Sequence, residues 1–320
     1  MTRKQAVLQA FAVGDAMGMP TEFMTRRAIM ARFGPLVTGL IAPDQSQNHA
    51  NLPFASVTDD TEQVVFLLKA YARDGMVTLD NTVKALTLWA EETRAEEKGY
   101  IGPSSSRALK AIRQGADPVR AGEGGSTCGG IMRSPAAVLY RDEADLDEML
   151  EALYICLAPT HGSSTALEAA GAYGAALWQA LRGGDMDSIL EAARQGAGRL
   201  KARAPYEMCA PSCAARIVFA AGLAKKSGAG EVLDTLYDLI GTGLPSADVC
   251  AAVFAIFCHA GKSPWQAIRM GASVGGDTDT IAALAGTLCA AYAGGHDIPA
   301  EVLDAVLSVN KELLDGALPG

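Results

Sequence analysis

From one end of the chain to the other, apolar residues recur three and four positions apart, and no segment alternates apolar and polar residues as a half-buried strand must. Alanine, leucine and glutamate dominate these segments, and all three favour helix. The pattern predicts an all-α fold. In the first half it places helices over residues 4–13, 60–73, 79–94 and 104–114. In the second half they fall over 146–157, 164–181, 186–200, 231–240, 247–260, 264–271, 279–293 and 299–314. Alanine and glycine on the apolar faces let helix backbones approach closely, which suits a compact orthogonal multi-helix bundle. The stretches 34–57, 115–135 and 202–212, rich in Gly, Pro, Ser and Asn, are expected to be irregular.

At 320 residues the chain sits near the upper limit of one hydrophobic core, and it carries no long linker, so a single domain over 1–320 is expected. Its 36 acidic and 27 basic side chains give a net charge of -9, the wrong sign for following a nucleic-acid backbone or an anionic membrane. A small phosphorylated substrate stays compatible, because bound divalent cations reverse the local field of an acidic pocket. The 7 cysteines form no CxxC pair, which speaks against zinc or a redox dithiol and for reduced thiols in the cytoplasm. Near the start, Asp15 interrupts the apolar run and no signal-cleavage pattern follows. The longest apolar stretch, residues 249–258, is too short to span a bilayer. Oligomeric state is not readable from these features.

Chemistry concentrates in two acidic motifs at predicted helix starts. In SVTDDTEQVVFLLKAY, Thr58, Asp59, Asp60 and Thr61 crowd hard oxygen ligands before an apolar helix. Helix capping, with Glu62 three residues after Asp59, would explain this cluster without a metal. In SVGGDTDTIAALAGTL, Asp277 and Asp279 are two apart, which in a regular helix separates them by about 200° around the axis. Asp277 is therefore expected in a turn that Gly275 and Gly276 permit, with Asp279 and Thr280 in the first helical turn. The two motifs supply carboxylates and hydroxyls with no histidine or cysteine at ligand spacing, a set that suits Mg²⁺ or Mn²⁺ rather than Zn²⁺. Helix starts also favour the ionised carboxylate that binds metal, so two such ends facing each other would make a two-ion site. A third acidic group, Asp15 and Glu22 in GDAMGMPTEF, reads locally as a turn cap and a solvated side chain.

GDAMG near the start, TDDT a fifth of the way along, PTHGSSTALEAA in the middle and GGDTDT near the end together resemble the ADP-ribosylglycohydrolase family over nearly the whole chain. The resemblance implies that family's all-α fold and binuclear centre of two Mg²⁺ or Mn²⁺ ions. By position it implies Thr58, Asp59, Asp60, Asp277, Asp279 and Thr280 as metal ligands. Glu22 resembles the family's mobile acidic residue at the metals and the scissile bond, and His161 the histidine near the ribose and diphosphate.

One segment departs from the family pattern. Where many relatives carry Gly-Asn-Gly before a Met-Arg pair, alignment on Met132 and Arg133 places Thr127, Cys128 and Gly129. A thiol has less hydrogen-bonding capacity than the missing amide. The segment still reads as a substrate loop, with Asp15, Gly125, Ser126, Thr127, Cys128, Gly129 and His161 as the substrate-binding set and exposed glycine amides able to receive phosphate oxygens. Gly261, Lys262 and Ser263 lack the earlier glycine and strand of a phosphate loop, and Thr127 in GSTCG lacks the strand of a nucleophile elbow.

The implied activity is hydrolysis of the ribosyl glycosidic bond of an ADP-ribosyl conjugate, on a protein or a small molecule. The two cations would engage the ribose hydroxyls and a water, and Glu22, or failing it Asp60, would handle the proton. Two alternatives remain: a hydrolase of a small N-riboside or nucleoside derivative, and a noncatalytic ADP-ribose-binding regulator.

Overall fold

The computed structural model describes residues 1–318 apart from 47, 100 and 227. Helices follow one another throughout, and among the described residues the only extended pairings are the isolated bridges Thr127 to Pro245 and Ser163 to Tyr206. Eight helices build the centre. They are α1 (Arg3–Gly18), α2 (Asp59–Asp74), α3 (Gly129–Tyr140), α4 (Ser164–Leu181), α5 (Met186–Lys201), α6 (Ser246–Ala260), α7 (Pro264–Gly271) and α8 (Thr278–Ala293). Every residue of α8 from Thr278 to Ala291 is buried, as is α4 from Ser164 to Leu177. Helices apolar on all sides must lie inside the fold. Helices α1, α3, α5, α6 and α7 pack around these two.

The tightest packing that bears on the site is between α1 and α8. The helices run antiparallel: the Thr287 hydroxyl faces the carbonyl of Val7, while Gly18 meets Thr278 and Asp279. A Cβ on Gly18 would stand 2.4 Å from Asp279 Cα, and one on Gly14 2.6 Å from Ala283 Cα. No side chain fits there, so the GDAMG glycines are the condition for the contact. The end of α1 thereby lies against the start of α8, and Asp15 and Glu22 arrive beside GGDTDT.

Several elements differ from expectation. Residues 115–135 are not wholly irregular, since Pro118–Gly122 is helical and α3 begins at Gly129. Gly129, Gly130 and Pro135 disfavour helix by propensity, yet Gly130 through Leu139 are all buried, and burial overrides the local preference. Helices Arg26–Phe33, Ala95–Lys98 and Cys213–Lys226 were also not expected. The stretch 231–240 is α-helical only to Thr235 and continues as the π-turn Leu236–Ile240. Helix 299–314 breaks at Asn310, whose side chain accepts from Val57 N and donates to the carbonyls of Ala55 and Val306. Such side-chain bonds compete with helix continuation. No helix of the described residues is long and apolar enough to cross a membrane.

One substitution at two positions tests the packing. Gly18→Ala should lower unfolding free energy by about 1 to 3 kcal/mol through overpacking. Gly198→Ala, in α5 with nothing within 4 Å of the new methyl, should raise it by up to about 1 kcal/mol. Denaturant unfolding measures both, and equal effects would contradict the close α1–α8 approach.

Candidate active site

The start of α2 is capped from outside. Asp15, on α1, accepts hydrogen bonds from Thr58 N at 3.0 Å, Thr61 N at 3.1 Å and Thr61 Oγ1 at 2.5 Å. Thr58 Oγ1 accepts from Asp60 N at 3.3 Å. The carboxylates of Asp59 and Asp60 are thereby relieved of capping. Glu62 takes no part in the cap either, because its carboxylate accepts from Trp89 Nε1 at 2.8 Å. Asp15 is fully buried, does not line the cleft and supports the first motif.

The start of α8 is shaped by two left-handed glycines, Gly275 (φ 84°) and Gly276 (φ 80°). Added side chains there would also strike Arg26 N and Thr242 O. Backbone bonds from Phe23 N to Gly276 O (2.7 Å) and from Gly276 N to Met24 O (3.1 Å) tie this turn to the segment that carries Glu22. Phe23 itself is left-handed (φ 59°), a local strain this pairing sustains. Asp277 holds the N-cap position, yet its side chain makes no capping bond. Thr278 Oγ1 donates to Gly18 O at 2.9 Å and faces α1, whereas Asp279 and Thr280 open onto the cleft.

Both helix starts border one cleft of about 200 Å³. Glu22, Asp59, Asp60, Asp277, Asp279 and Thr280 line its acidic side. Thr58 is buried at the edge of the same helix start but does not line it. Asn48, His49, Thr127, Cys128, Gly129, Met132 and Leu244 form much of the remaining wall, and none of the described lining residues is Lys or Arg.

This crowding has an electrostatic signature. Burial, and then the neighbouring Asp279 carboxylate, push Glu22, Asp59, Asp60 and Asp277 well above the usual carboxylate range. The same causes, opposed by the Thr61 and Thr58 hydrogen bonds, raise Asp15 to about 7. Buried oxygens of Asp60 (Oδ2), Asp277 (Oδ2) and Asp279 (Oδ1) have no hydrogen-bond partner. Orphaned carboxylate oxygens converging without a lysine or arginine fit hard divalent cations, which would satisfy the oxygens and neutralise the charge.

The opposite wall rests on a buried polar chain. Arg133 donates from Nε to Gly129 O (2.7 Å) and from a terminal nitrogen to Thr160 Oγ1 (2.6 Å), with His161 Nδ1 at 2.9 Å. Arginine can only donate, so His161 Nδ1 must accept and its proton sits on Nε2. Burial, with Arg133 next, also drives the His161 pKa well down and keeps the ring neutral. Nε2–H then donates to Thr127 Oγ1 at 3.0 Å, leaving the Thr127 proton to point onward. His161 therefore stands behind Thr127 and does not itself line the cleft.

Gly125 and Ser126 do not line it either. Gly125 packs on Thr160 and its amide donates to Gly122 O, and the Ser126 carbonyl accepts from Ser246, so these residues anchor the loop. Cys128 N donates to Leu244 O at 2.8 Å, and its thiol hydrogen-bonds Asp277. Burial, reinforced by Asp277, holds that thiol protonated.

Several cleft residues escaped the sequence reading, Asn48 and His49 foremost among them. Asn48 and His49 lie in the irregular stretch 34–57, and His49 Nε2 approaches Glu22 Oε2 to 2.9 Å. Asn48 also hydrogen-bonds Glu22. No spacing relative to TDDT or GGDTDT marks either of them. Arg133, visible in sequence only as half of a Met-Arg pair, is the buried cation behind the wall.

The sequence model of the ADP-ribosylglycohydrolase family matches residues 2–318, and the chain belongs to that family. The uncharacterized protein YegU of Escherichia coli is 30% identical over 303 residues, covering 94% of this chain and 90% of its own. An uncharacterized protein of Archaeoglobus fulgidus is 28% identical over 295 residues, covering 92% and 88%. A solved structure described as an ADP-ribosylglycohydrolase-related protein complex shares the fold, with a TM-score of 0.70, 24% identity and 98% of each chain covered.

The raised carboxylates set the pH dependence of the metal-free protein. Their folded pKa values exceed the unfolded ones, so the folded state binds more protons and stability falls as pH rises from the unfolded carboxylate range, about 4, through the raised values. Asp15, at about 7, places part of that loss near neutrality. Metal-free protein should melt higher at about pH 6 than at about pH 8, and saturating Mn²⁺ should remove or reverse the trend, since ions require the ionised form. Asp277→Asn should raise the metal-free melting temperature and abolish the Mn²⁺ increment. Thermal scans at both pH values decide; a metal-free protein that gains stability with pH would contradict the crowding.

Proposed function

We propose that this member of the family hydrolyses the ribosyl glycosidic bond of an ADP-ribosyl conjugate, with two Mg²⁺ or Mn²⁺ ions held by Thr58, Asp59, Asp60, Asp277, Asp279 and Thr280. The observation that carries this reading is the meeting of two acidic helix starts, with orphaned carboxylate oxygens, in one cleft. When bound, the ions supply Lewis-acid stabilisation of charge developing on the ribose.

Glu22 serves as the proton-handling group. Its carboxyl lines the cleft, and burial beside Asp279 holds it well above the usual carboxylate range, which favours a carboxyl able to carry a proton. Asp60 is second in line for that role. Thr127, whose oxygen is occupied as an acceptor by His161, donates its proton to a substrate oxygen, and a phosphate or ribose oxygen meets that demand. Met132, Ile101 and Leu244 give the cleft an apolar flank that limits water around the sugar.

A small N-riboside is the second reading. The Cys128 thiol, turned to Asp277, does not replace the amide contact of relatives with asparagine, so fewer groups recognise the part of a conjugate beyond the ribose. A noncatalytic regulator accounts for the metal ligands but leaves the proton-handling role of Glu22 without a purpose.

Glu22→Gln, which keeps an amide oxygen able to face an ion, should hold Mn²⁺ affinity within about tenfold yet slow turnover by roughly 10² to 10⁴. Calorimetry paired with kinetics on ADP-ribosylated protein, free ADP-ribose conjugates and N-ribosides tests this. Full turnover in the variant would move the role to another group. Replacing ribosyl by deoxyribosyl in whichever substrate turns over should cost a few kcal/mol of transition-state stabilisation, by analogy with losing an oxyanion donor. Equal rates would contradict recognition centred on the ribose hydroxyls.

A further inference from the structure

We propose that His49 is a nitrogen ligand to one of the divalent ions, completing a set with Glu22 and Asp279 that selects Mn²⁺ over Mg²⁺. This rests on the metal reading above and adds to it a residue outside both aspartate motifs. Glu22, His49 and Asp279 are each buried, and each offers one ligand atom within 4.8 Å of the other two. Ligands about 2.1 Å from an octahedral ion stand roughly 3 Å apart when adjacent and about 4.2 Å apart when opposite. The 2.9 Å between His49 Nε2 and Glu22 Oε2 matches an adjacent pair. Asp279 Oδ1, buried and lacking a hydrogen-bond partner, supplies an independent sign that something binds there.

The histidine is also held for this purpose. Its backbone N donates to Ser46 Oγ at 3.1 Å and its carbonyl accepts from Leu52 N at 2.9 Å, which fixes the backbone that presents the ring to the cleft. Imidazole is a borderline ligand, at home on first-row transition ions, whereas Mg²⁺ keeps to oxygen. One nitrogen among carboxylates therefore shifts selectivity without abolishing Mg²⁺ binding.

The experiment uses the full chain loaded with Mn²⁺ and reads electron spin-echo modulation from nitrogen on the bound ion. We expect ¹⁴N modulation in the unmodified chain, its replacement by the ¹⁵N pattern after [¹⁵N]histidine labelling, and its loss in His49→Gln. The same substitution should weaken Mn²⁺ by about tenfold or more while moving Mg²⁺ less, measured by competition. Bound Mn²⁺ without histidine modulation, or modulation that survives in His49→Gln, overturns the assignment and leaves the metal reading standing. No bound Mn²⁺ at all overturns both. The labelled unmodified chain keeps the test decisive even if His49→Gln does not fold.

Discussion

The structure turns on a repulsion. Glu22, Asp59, Asp60, Asp277 and Asp279 are brought to one buried cleft, with Asp15 just behind, and no lysine or arginine among the described lining residues relieves them. Two helix N-termini soften the repulsion through their free amides and dipoles. They do not remove it, since the carboxyls stay displaced upward and several oxygens stay without partners. A fold that maintains such a cluster does so because packing elsewhere outweighs it, and hard divalent cations are the kind of partner its oxygens fit.

That packing is concentrated in α1. Its two glycines admit α8 to backbone contact, its Asp15 caps α2, and the segment after it carries Glu22 and pairs through Phe23 and Met24 with the Gly275–Gly276 turn. One helix therefore sets the relative position of all three acidic groups. Across the cleft, Arg133 orders His161, and His161 orders Thr127, so a positive charge acts on the ligand wall through two neutral side chains. The acidic side suits hard cations, and the opposite side presents the oriented hydroxyl of Thr127.

Much of this was legible in the sequence because it is local. The apolar spacing of α4, α6, α7 and α8 and the oxygen-rich approach to α2 and α8 are properties of contiguous residues. Asp277 also sits at the N-cap, as the 200° argument for residues two apart requires. What escaped was set by contacts between distant residues. The capping role of Asp15 depends on α2 arriving some forty positions later. His49 lies in a stretch without periodicity, and its neighbour Glu22 is defined only once the chain has folded. The helix α3 contradicts the preferences of its own glycines and proline and exists because the core encloses it. Of the glycines before it, Gly122 and Gly125 pack against the backbone of the turn that leads to His161.

Anomalous scattering from Mn²⁺-soaked crystals tests the central claim most directly, because it locates ions without reference to any substrate. The account predicts two peaks between the starts of α2 and α8, bounded by Thr58, Asp59, Asp60, Asp277, Asp279 and Thr280 and about 3.5 to 4 Å apart. A single peak, or a metal seated on cysteines away from the two aspartate motifs, would contradict it.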